Sequence, residues 1–282
     1  MKKVRFGFHI QIGKGLTEVP DRARDLKCST IQIFSRNPRG WMSKELNKDD
    51  VEIFKNKIKE YDINPVVIHM PYLPNPAAPD KEKWDKSLES MIEELRRAEL
   101  LDVPYVNIHI GKSMKAPIED AFTRIVKFLD ISLKEVKNNV MLLLENTAGQ
   151  GSEIGTKFEE IRKILDMVKE PERIGVCIDT AHLFGAGYDL RTKKDVDKVI
   201  EEFDNIIGLD KLKVIHYNDS KVELGSHVDR HWHIGEGTIG DEGMKAIITH
   251  PKLMHLPFIM ETPKHNPDDD LNNLNKVLSY LK

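Results

Sequence analysis

The sequence predicts an α/β chain folded as a single-domain (β/α)8 TIM barrel over residues 1–282. Three observations predict it. Eight short apolar runs recur along the 282 residues, at intervals of about 35 residues, one βα unit each. Stretches with helical spacing lie between the runs. No linker, repeat or low-complexity segment divides the chain, and one α/β barrel fills this length.

The runs are Val4 to Phe8, Thr30 to Phe34, Pro65 to Ile68, Tyr105 to Ile108, Val140 to Leu144, Ile174 to Ile178, Leu212 to Ile215 and Pro257 to Met260. Each is mostly β-branched or aliphatic and lacks polar alternation, the pattern of strands buried on both faces of a parallel sheet. Between the third and fourth, Trp84, Leu88, Ile92 and Leu95 recur at helical spacing. Phe158, Ile161, Leu165 and Val168 do so between the fifth and sixth, and Val196, Val199, Phe203 and Ile206 between the sixth and seventh. Each set shares one helix face. Pro171 and Gly208 close the last two stretches, and Leu271 to Leu281 reads as a closing helix. Pro71 to Pro79 reads as a long loop. An open doubly wound sheet would carry GxGxxG after the first strand, but Gly13-Lys14-Gly15 is too short for it.

Composition narrows the setting. Charged residues make up 32%, above the usual ~25%, and the excess of Lys and Glu leans towards a heat-adapted source. The formal net charge of -3 argues against a generally basic nucleic-acid coat. Cys28 and Cys177 form no CxxC pair or disulfide framework, which places the chain in a reducing compartment, the cytoplasm. No run reaches ~18 apolar residues, so no membrane span is expected. Met1-Lys2-Lys3 is basic, but Arg5 and His9 break up the apolar stretch after it, so it is not read as a signal peptide. The sequon Asn218-Asp219-Ser220 is without meaning in a cytoplasmic chain.

The informative pattern lies at the strand ends. The third to eighth strands finish in His69, His109, Glu145, Asp179, His216 and Glu261. In a barrel these ends converge on the face that carries active sites. One strand-end histidine is often a satisfied core residue. Six ionisable groups gathered together are costly unless they pair or coordinate, and their carboxylates would repel without cations between them. His182, three after Asp179, extends the set, as do Asp229 and His231, which share one side of an extended segment. Imidazole and carboxylate without thiolate suit Zn²⁺ or Mn²⁺, and nine ligands serve two or three ions. His9 closes the first strand on the same face and is read as supporting the ligands from behind, or as a polar core residue. His227 and His233 read as solvated, and His250, His255 and His265 as surface.

Paired metal ions favour in-line displacement at phosphorus and supply hydroxide near neutral pH. No Ser-His-Asp set, GxSxG or Walker A motif appears. The residues therefore read as a multi-metal hydrolase with a phosphoester substrate, and a metal-dependent sugar isomerase or epimerase on the same fold is the alternative. Arg36-Asn37-Pro38-Arg39-Gly40-Trp41 offers two guanidiniums and an indole on the active face. Tyr72-Leu73 offers an apolar wedge of the kind that enters base steps. The plainer readings are that Arg39 forms a surface ion pair and that Tyr72 and Leu73 pack under their loop. Lys14, Lys112, Lys115, Lys157, Lys221 and Arg230 lie on loops after strands and could each contact a phosphate.

Three long motifs resemble the endonuclease IV family of apurinic/apyrimidinic (AP) endonucleases. They are Leu144-Glu145-Asn146-Thr147-Ala148-Gly149-Gln150-Gly151; Cys177-Ile178-Asp179-Thr180-Ala181-His182 through Gly187-Tyr188-Asp189; and His216-Tyr217-Asn218-Asp219-Ser220-Lys221 with Asp229-Arg230-His231 and Gly235-Glu236-Gly237. The likeness runs from Gly7-Phe8-His9 to Glu261-Thr262. It implies a base-excision-repair enzyme, a monomer without an obligate protein partner or membrane, acting on double-stranded DNA that contains abasic sites. Cleavage 5′ to the lesion would leave a 3′-hydroxyl and a 5′-deoxyribose phosphate, with a 3′-phosphodiesterase activity beside it. It also implies three Zn²⁺ per chain, with Mn²⁺ admissible at one site. His69, His109 and Glu145 would hold the first. Glu145 would bridge to the second, held also by Asp179, His216 and Glu261. His182, Asp229 and His231 would hold the third. Glu145 and Glu261 become the catalytic carboxylates, Arg39 a groove-inserting residue, and Tyr72 and Leu73 the wedge. Met70-Pro71, Pro74 and Trp232-His233 depart from the family pattern. Three bound dications would reverse the sign of the formal charge and concentrate it at one barrel face beside Arg36 and Arg39, where it matters for phosphate.

Overall fold

The structure, a computed structural model, describes residues 4–282, and the basic start Met1-Lys2-Lys3 lies outside the described residues. Eight parallel strands close into a barrel. They are β1 (Arg5–Ile10), β2 (Ile31–Ile33), β3 (Val66–His69), β4 (Tyr105–His109), β5 (Met141–Glu145), β6 (Ile174–Asp179), β7 (Leu212–His216) and, last in the chain, β10 (Pro257–Met260). Around the barrel the order is β1-β10-β7-β6-β5-β4-β3-β2. The two remaining strands, β8 (Asp219–Ser220) and β9 (His231–Trp232), form a small antiparallel pair beyond β7. All eight apolar runs therefore become barrel strands.

The helices are α1 (Val19–Asp25), α2 (Lys48–Glu60), α3 (Lys81–Leu100), α4 (Ile118–Glu135), α5 (Phe158–Met167), α6 (Thr180–Ala186), α7 (Lys193–Ile206), α8 (Gly240–Ile248) and α9 (Asp269–Tyr280). Side-chain caps start several of them. Asn47 accepts the Asp49 and Asp50 N–H groups before α2, and Asp80 accepts that of Lys83 before α3, each satisfying donors the helix leaves free. No described helix is long and apolar enough to cross a membrane.

Strand periodicity divides the core in two. Leu142 and Leu144 of β5 point outward into the large cluster beneath the helices, while Leu143 points into the barrel. There it meets Val67, Cys177, Val214 and Ile259. Side chains two positions further along each strand point the same way. From those five inward residues, two positions lead to His69, Glu145, Asp179, His216 and Glu261. The apolar layer thus forms a floor on which the ionisable layer rests. Glu261 comes one residue after β10 instead of ending it.

The expected apolar face of α3 is present, with Trp84 and Leu95 in the core and Leu88 and Ile92 packed against it. Leu88 and Ile92 are only half-buried, whereas Ser87, Ser90, Met91, Glu94, Arg97 and Ala98 are buried. Beside that apolar face, a buried polar strip of the helix reaches the segment after β2. The loop over residues 71–79 is as expected.

Candidate metal centre

The barrel register brings the strand-end residues level with one another. His109 pairs with Glu145 across β4 and β5, Asp179 with His216 across β6 and β7, and His216 with Ile259, two before Glu261. β6 runs straight into α6, where the Asp179 carboxylate accepts the His182 N–H at 2.8 Å as the helix cap. That turn sets His182 beside Asp179. The β8–β9 pair carries Asp229 and His231 back over the barrel. Its anchor is buried Asp219, whose carboxylate accepts N–H groups from Ser220, Gly235, Gly237 and Ile239 at 2.7–3.0 Å. A Cβ on Gly237 would stand 2.3 Å from the Ser220 carbonyl oxygen, so only glycine fits.

Three donor groups result: His69, His109 and Glu145; Glu145, Asp179, His216 and Glu261; and Asp179, His182 and His231. Asp229 joins the third, with Oδ1 3.3 Å from His182 Nε2 and 3.4 Å from His231 Nε2. Asp179 therefore stands at two groups, a proximity the sequence does not announce.

Hydrogen bonds on the far side of each ring decide which nitrogen faces the centre. The Nδ1–H of His69 donates to the Met70 carbonyl at 2.6 Å, that of His182 to Asn146 at 2.9 Å, and that of His231 to Glu261 at 3.3 Å. With the rings neutral, each Nε2 keeps a lone pair aimed at carboxylate oxygens. His69 Nε2 and His109 Nε2 both lie 3.4 Å from Glu145 Oε2, and His231 Nε2 lies 3.4 Å from Asp179 Oδ2. His216 is turned the other way. Its Nε2–H donates to Gln32 Oε1 at 2.8 Å, so Nδ1 faces Glu145 and Glu261 at 3.2 and 3.3 Å. His231 Nε2 is buried with no hydrogen-bond partner. Lone pairs opposed across a buried gap repel, and a cation between them removes the conflict. The spacing also fits. Tetrahedral zinc with bonds of about 2.0–2.1 Å separates its donors by about 3.3–3.4 Å. The donor set is thus one that binds metal ions.

Burial opposes charge throughout the site. It pushes Glu145 up, yet His109, His216 and His182 hold that carboxyl well below the ordinary range. Burial likewise opposes the Glu261 and Asp229 carboxylates, and neighbouring imidazoles hold both low, His216 foremost for Glu261 and His182 for Asp229. His69 and His182 are raised against burial by the carboxylates, and so is His216, by Glu261 and Glu145 among others. His9 and His109 are lowered, burial being the main cause.

Neutral amides brace the carboxylates, and the sequence reading missed them. Gln32 Nε2 donates to Glu261 Oε1 at 2.6 Å and to His9 Nδ1 at 2.9 Å. Asn107 Nδ2 donates to Glu145 Oε2 at 2.5 Å, and Asn218 Nδ2 to Asp179 Oδ2 at 2.7 Å. Parity is the signal that could have found two of them, since Gln32 interrupts Ile31 and Ile33 and Asn107 lies two before His109. His9 stands behind Glu261, at 3.3 Å.

A cavity of about 890 Å³ opens above the donors, with Tyr72, Leu73, Lys112, Arg230 and Lys264 in its walls. Tyr72 is 68% and Leu73 42% exposed, so they are not packed beneath their loop. Arg39 is exposed on the neighbouring loop and does not line the cavity. Arg36 is a correction: it is buried, with Nε 2.5 Å from Glu94 Oε1, and offers no guanidinium to a ligand. Lys112 is paired with Glu153, and Lys221 lies over the Trp232 ring. His250 is also corrected from surface to buried, because Asp197 reaches its Nε2 at 3.3 Å. His233 is half-buried against Asn273 instead of solvated.

Residues 20–282 match the family model described as xylose isomerase-like TIM barrel. The chain is 46% identical to probable endonuclease 4 of Methanosphaerula palustris over 277 residues, 97% of each chain. It is 46% identical to probable endonuclease 4 of Halothermothrix orenii, covering 94% of this chain and 96% of that one. The crystal structure of endonuclease IV from Thermus thermophilus superposes with a TM-score of 0.88 at 36% identity, over 98% of both chains. A D-tagatose 3-epimerase-like protein also superposes, at 0.73 over 98% of this chain and 97% of that one, but its 18% identity speaks for the fold alone.

Proposed function

The chain belongs to the endonuclease IV family of xylose isomerase-like TIM barrels, and from that premise we propose which bond it cuts and which residues act. It is an AP endonuclease, a DNA-cleaving hydrolase of repair. We infer hydrolysis 5′ to an abasic site in double-stranded DNA, leaving a 3′-hydroxyl and a 5′-deoxyribose phosphate, with trimming of blocked 3′ ends as a second activity. The observation that carries this reading is the set of opposed lone pairs, imidazole nitrogens facing carboxylate oxygens at 3.3–3.4 Å, with an open cavity above them.

Three zinc ions would fit, with Mn²⁺ admissible at one site. His69, His109 and Glu145 would hold the first, and Glu145, Asp179, His216 and Glu261 the second. His182, Asp229 and His231 would hold the third, beside Asp179. Bound divalent ions would supply Lewis acidity, neutralising charge on phosphoryl oxygens and acidifying water towards a pKa of about 7.

The chain's own groups position that chemistry. Glu145 turns one oxygen to His69 and His109 and the other to His216, tying two donor groups into one unit. Glu261 faces His216 while Gln32 donates to its other oxygen and His9 lies beside it. These are the two catalytic carboxylates. Gln32 also keeps the His216 proton on Nε2, leaving Nδ1 free to ligate. Tyr72 and Leu73 would wedge between base steps at the lesion, and Arg39 would insert into the groove. Residues 1–282 act as one domain and as a monomer without an obligate partner. Free buried Cys28 and Cys177, with thiol pKa values pushed up to about 12 and about 11 by burial, suit the reducing cytoplasm.

Incubating an abasic-site duplex with the protein, with and without chelator, and mapping the cut tests this reading. A chelator-sensitive cut immediately 5′ to the lesion is expected. Intact duplex under zinc-replete conditions would overturn it.

A further inference from the structure

The polar strip on α3 has no part in the metal centre. It holds one loop. Ser90, Glu93, Glu94 and Arg97 lie on one helix face and reach the segment just after β2. Glu94, fully buried, accepts from Ser35 Oγ at 2.6 Å and from Arg36 Nε at 2.5 Å. Arg36 Nη1 then donates to the Trp41 carbonyl at 2.7 Å, and its Nη2 to Ser90 Oγ. Arg97, also buried, donates to Ser35 Oγ at 2.8 Å, to the Ser35 carbonyl, and to the Lys44 carbonyl at 2.9 Å. Ser43 Oγ donates to Glu93 Oε1 at 3.3 Å.

Arg36, paired with Glu94, and Arg97, joined to Glu94 through Ser35 Oγ, thus tie the loop at residues 35, 41 and 44. Between the last two ties stands Met42, 89% exposed. Arg39 lies within the same loop, where its N–H donates to Asn37 Oδ1 at 3.0 Å. The Pro38 carbonyl accepts the Tyr72 N–H at 3.3 Å, linking this loop to the one that carries Tyr72 and Leu73. A buried ion pair adds little net stability over apolar packing, so its value here lies in holding geometry. Loop ordering that is already present before binding does not have to be supplied by the ligand.

We propose that the Glu94–Arg36–Arg97 cluster is a positioning device that presents residues 36–44 to damaged duplex DNA as a rigid finger with Met42 at its tip. The proposal rests on the nuclease reading above. Glu94 acts through the loop and touches no substrate. It holds Ser35 and Arg36 with two acceptor oxygens, and Glu94→Gln removes one of them together with the charge that pairs the buried Arg36 guanidinium.

Two readouts separate the claims. Hydrogen exchange of the backbone amides in residues 37–44 should quicken about tenfold in Glu94→Gln, with exchange elsewhere unchanged. On an abasic duplex, KM should rise about tenfold while kcat stays within about threefold, with zinc content equal to that of the unsubstituted protein. Unchanged exchange overturns the clamp whether or not the protein cuts DNA. Faster exchange with unchanged KM overturns the finger's role in binding. A parallel fall of kcat and zinc content overturns it too, by making Glu94 a support of the metal site. Should Glu94→Gln not fold, Met42→Ala carries the test as a surface change. A KM raised about threefold at unchanged kcat supports the finger, and an unchanged KM overturns it.

Discussion

Two layers inside the barrel come from the same strands and the same inward face, two residues apart, yet they differ in chemistry. Val67, Leu143, Cys177, Val214 and Ile259 form the lower layer, dry and apolar. His69, Glu145, Asp179 and His216, all buried, form the upper one with half-buried Glu261, and every member is ionisable. The lower layer is stabilised by removing carbon from water. The upper layer gathers charges that burial opposes, and it is completed by amides from Gln32, Asn107 and Asn218. One layer fixes where the strand ends stand, and the other uses those positions.

The sharpest way to break the comparison is at Glu145, the residue shared by two donor groups. Glu145→Ala should lower incision by about a thousandfold or more, because one side chain serves two ions that act together. The apolar floor beneath it is unchanged, so the fold should survive the change. Near-normal turnover measured on an abasic duplex would sink the assignment.

The lower layer should answer in the opposite way. Ile259→Ala, directly beneath Glu261, should cost about 2–5 kcal/mol of stability through lost burial and a cavity. Urea unfolding measures that loss, and incision at a temperature where the protein stays folded should hold within a few-fold. A loss of activity comparable to that of Glu145→Ala would mean the two layers are not separable.

A smaller effect concerns pH. Without metal, carboxylates hold His69, His182 and His216 above their ordinary pKa against burial. A raised folded-state pKa gives stability that is fully present below the unfolded value of about 6.5 and lost as pH rises through the folded pKa. The depressed carboxylates Glu145, Glu261 and Asp229 contribute fully above about pH 4.5 and so do not vary in that range. Chelator-stripped protein should therefore lose Tm from about pH 6.5 to 9, while zinc-loaded protein should hold or gain, because ligands bind metal deprotonated. Parallel slopes in the two preparations would count against metal at these imidazoles.

The lower layer and the strand ends were legible because strand parity is local. An apolar run with an ionisable residue at its end is visible without knowing what lies across the barrel. The amides were legible in principle by the same parity, but a polar residue inside a strand carries no chemical alarm of its own. What local pattern could not give was pairing over distance. Arg36 looks like a member of a basic loop until Glu94, 58 positions on, reaches it from α3. The buried polar strip of α3 was missed for the same reason, since Ser90, Glu94 and Arg97 lie beside the apolar stripe that the spacing shows. His250 is buried through Asp197, on another helix.

We propose that nine side chains on one barrel face hold three metal ions, and the most direct test is the metal content of the folded protein after saturation with zinc and removal of excess, counted per chain. Three equivalents are predicted. One equivalent or none, in protein that is folded and monodisperse, would contradict the account.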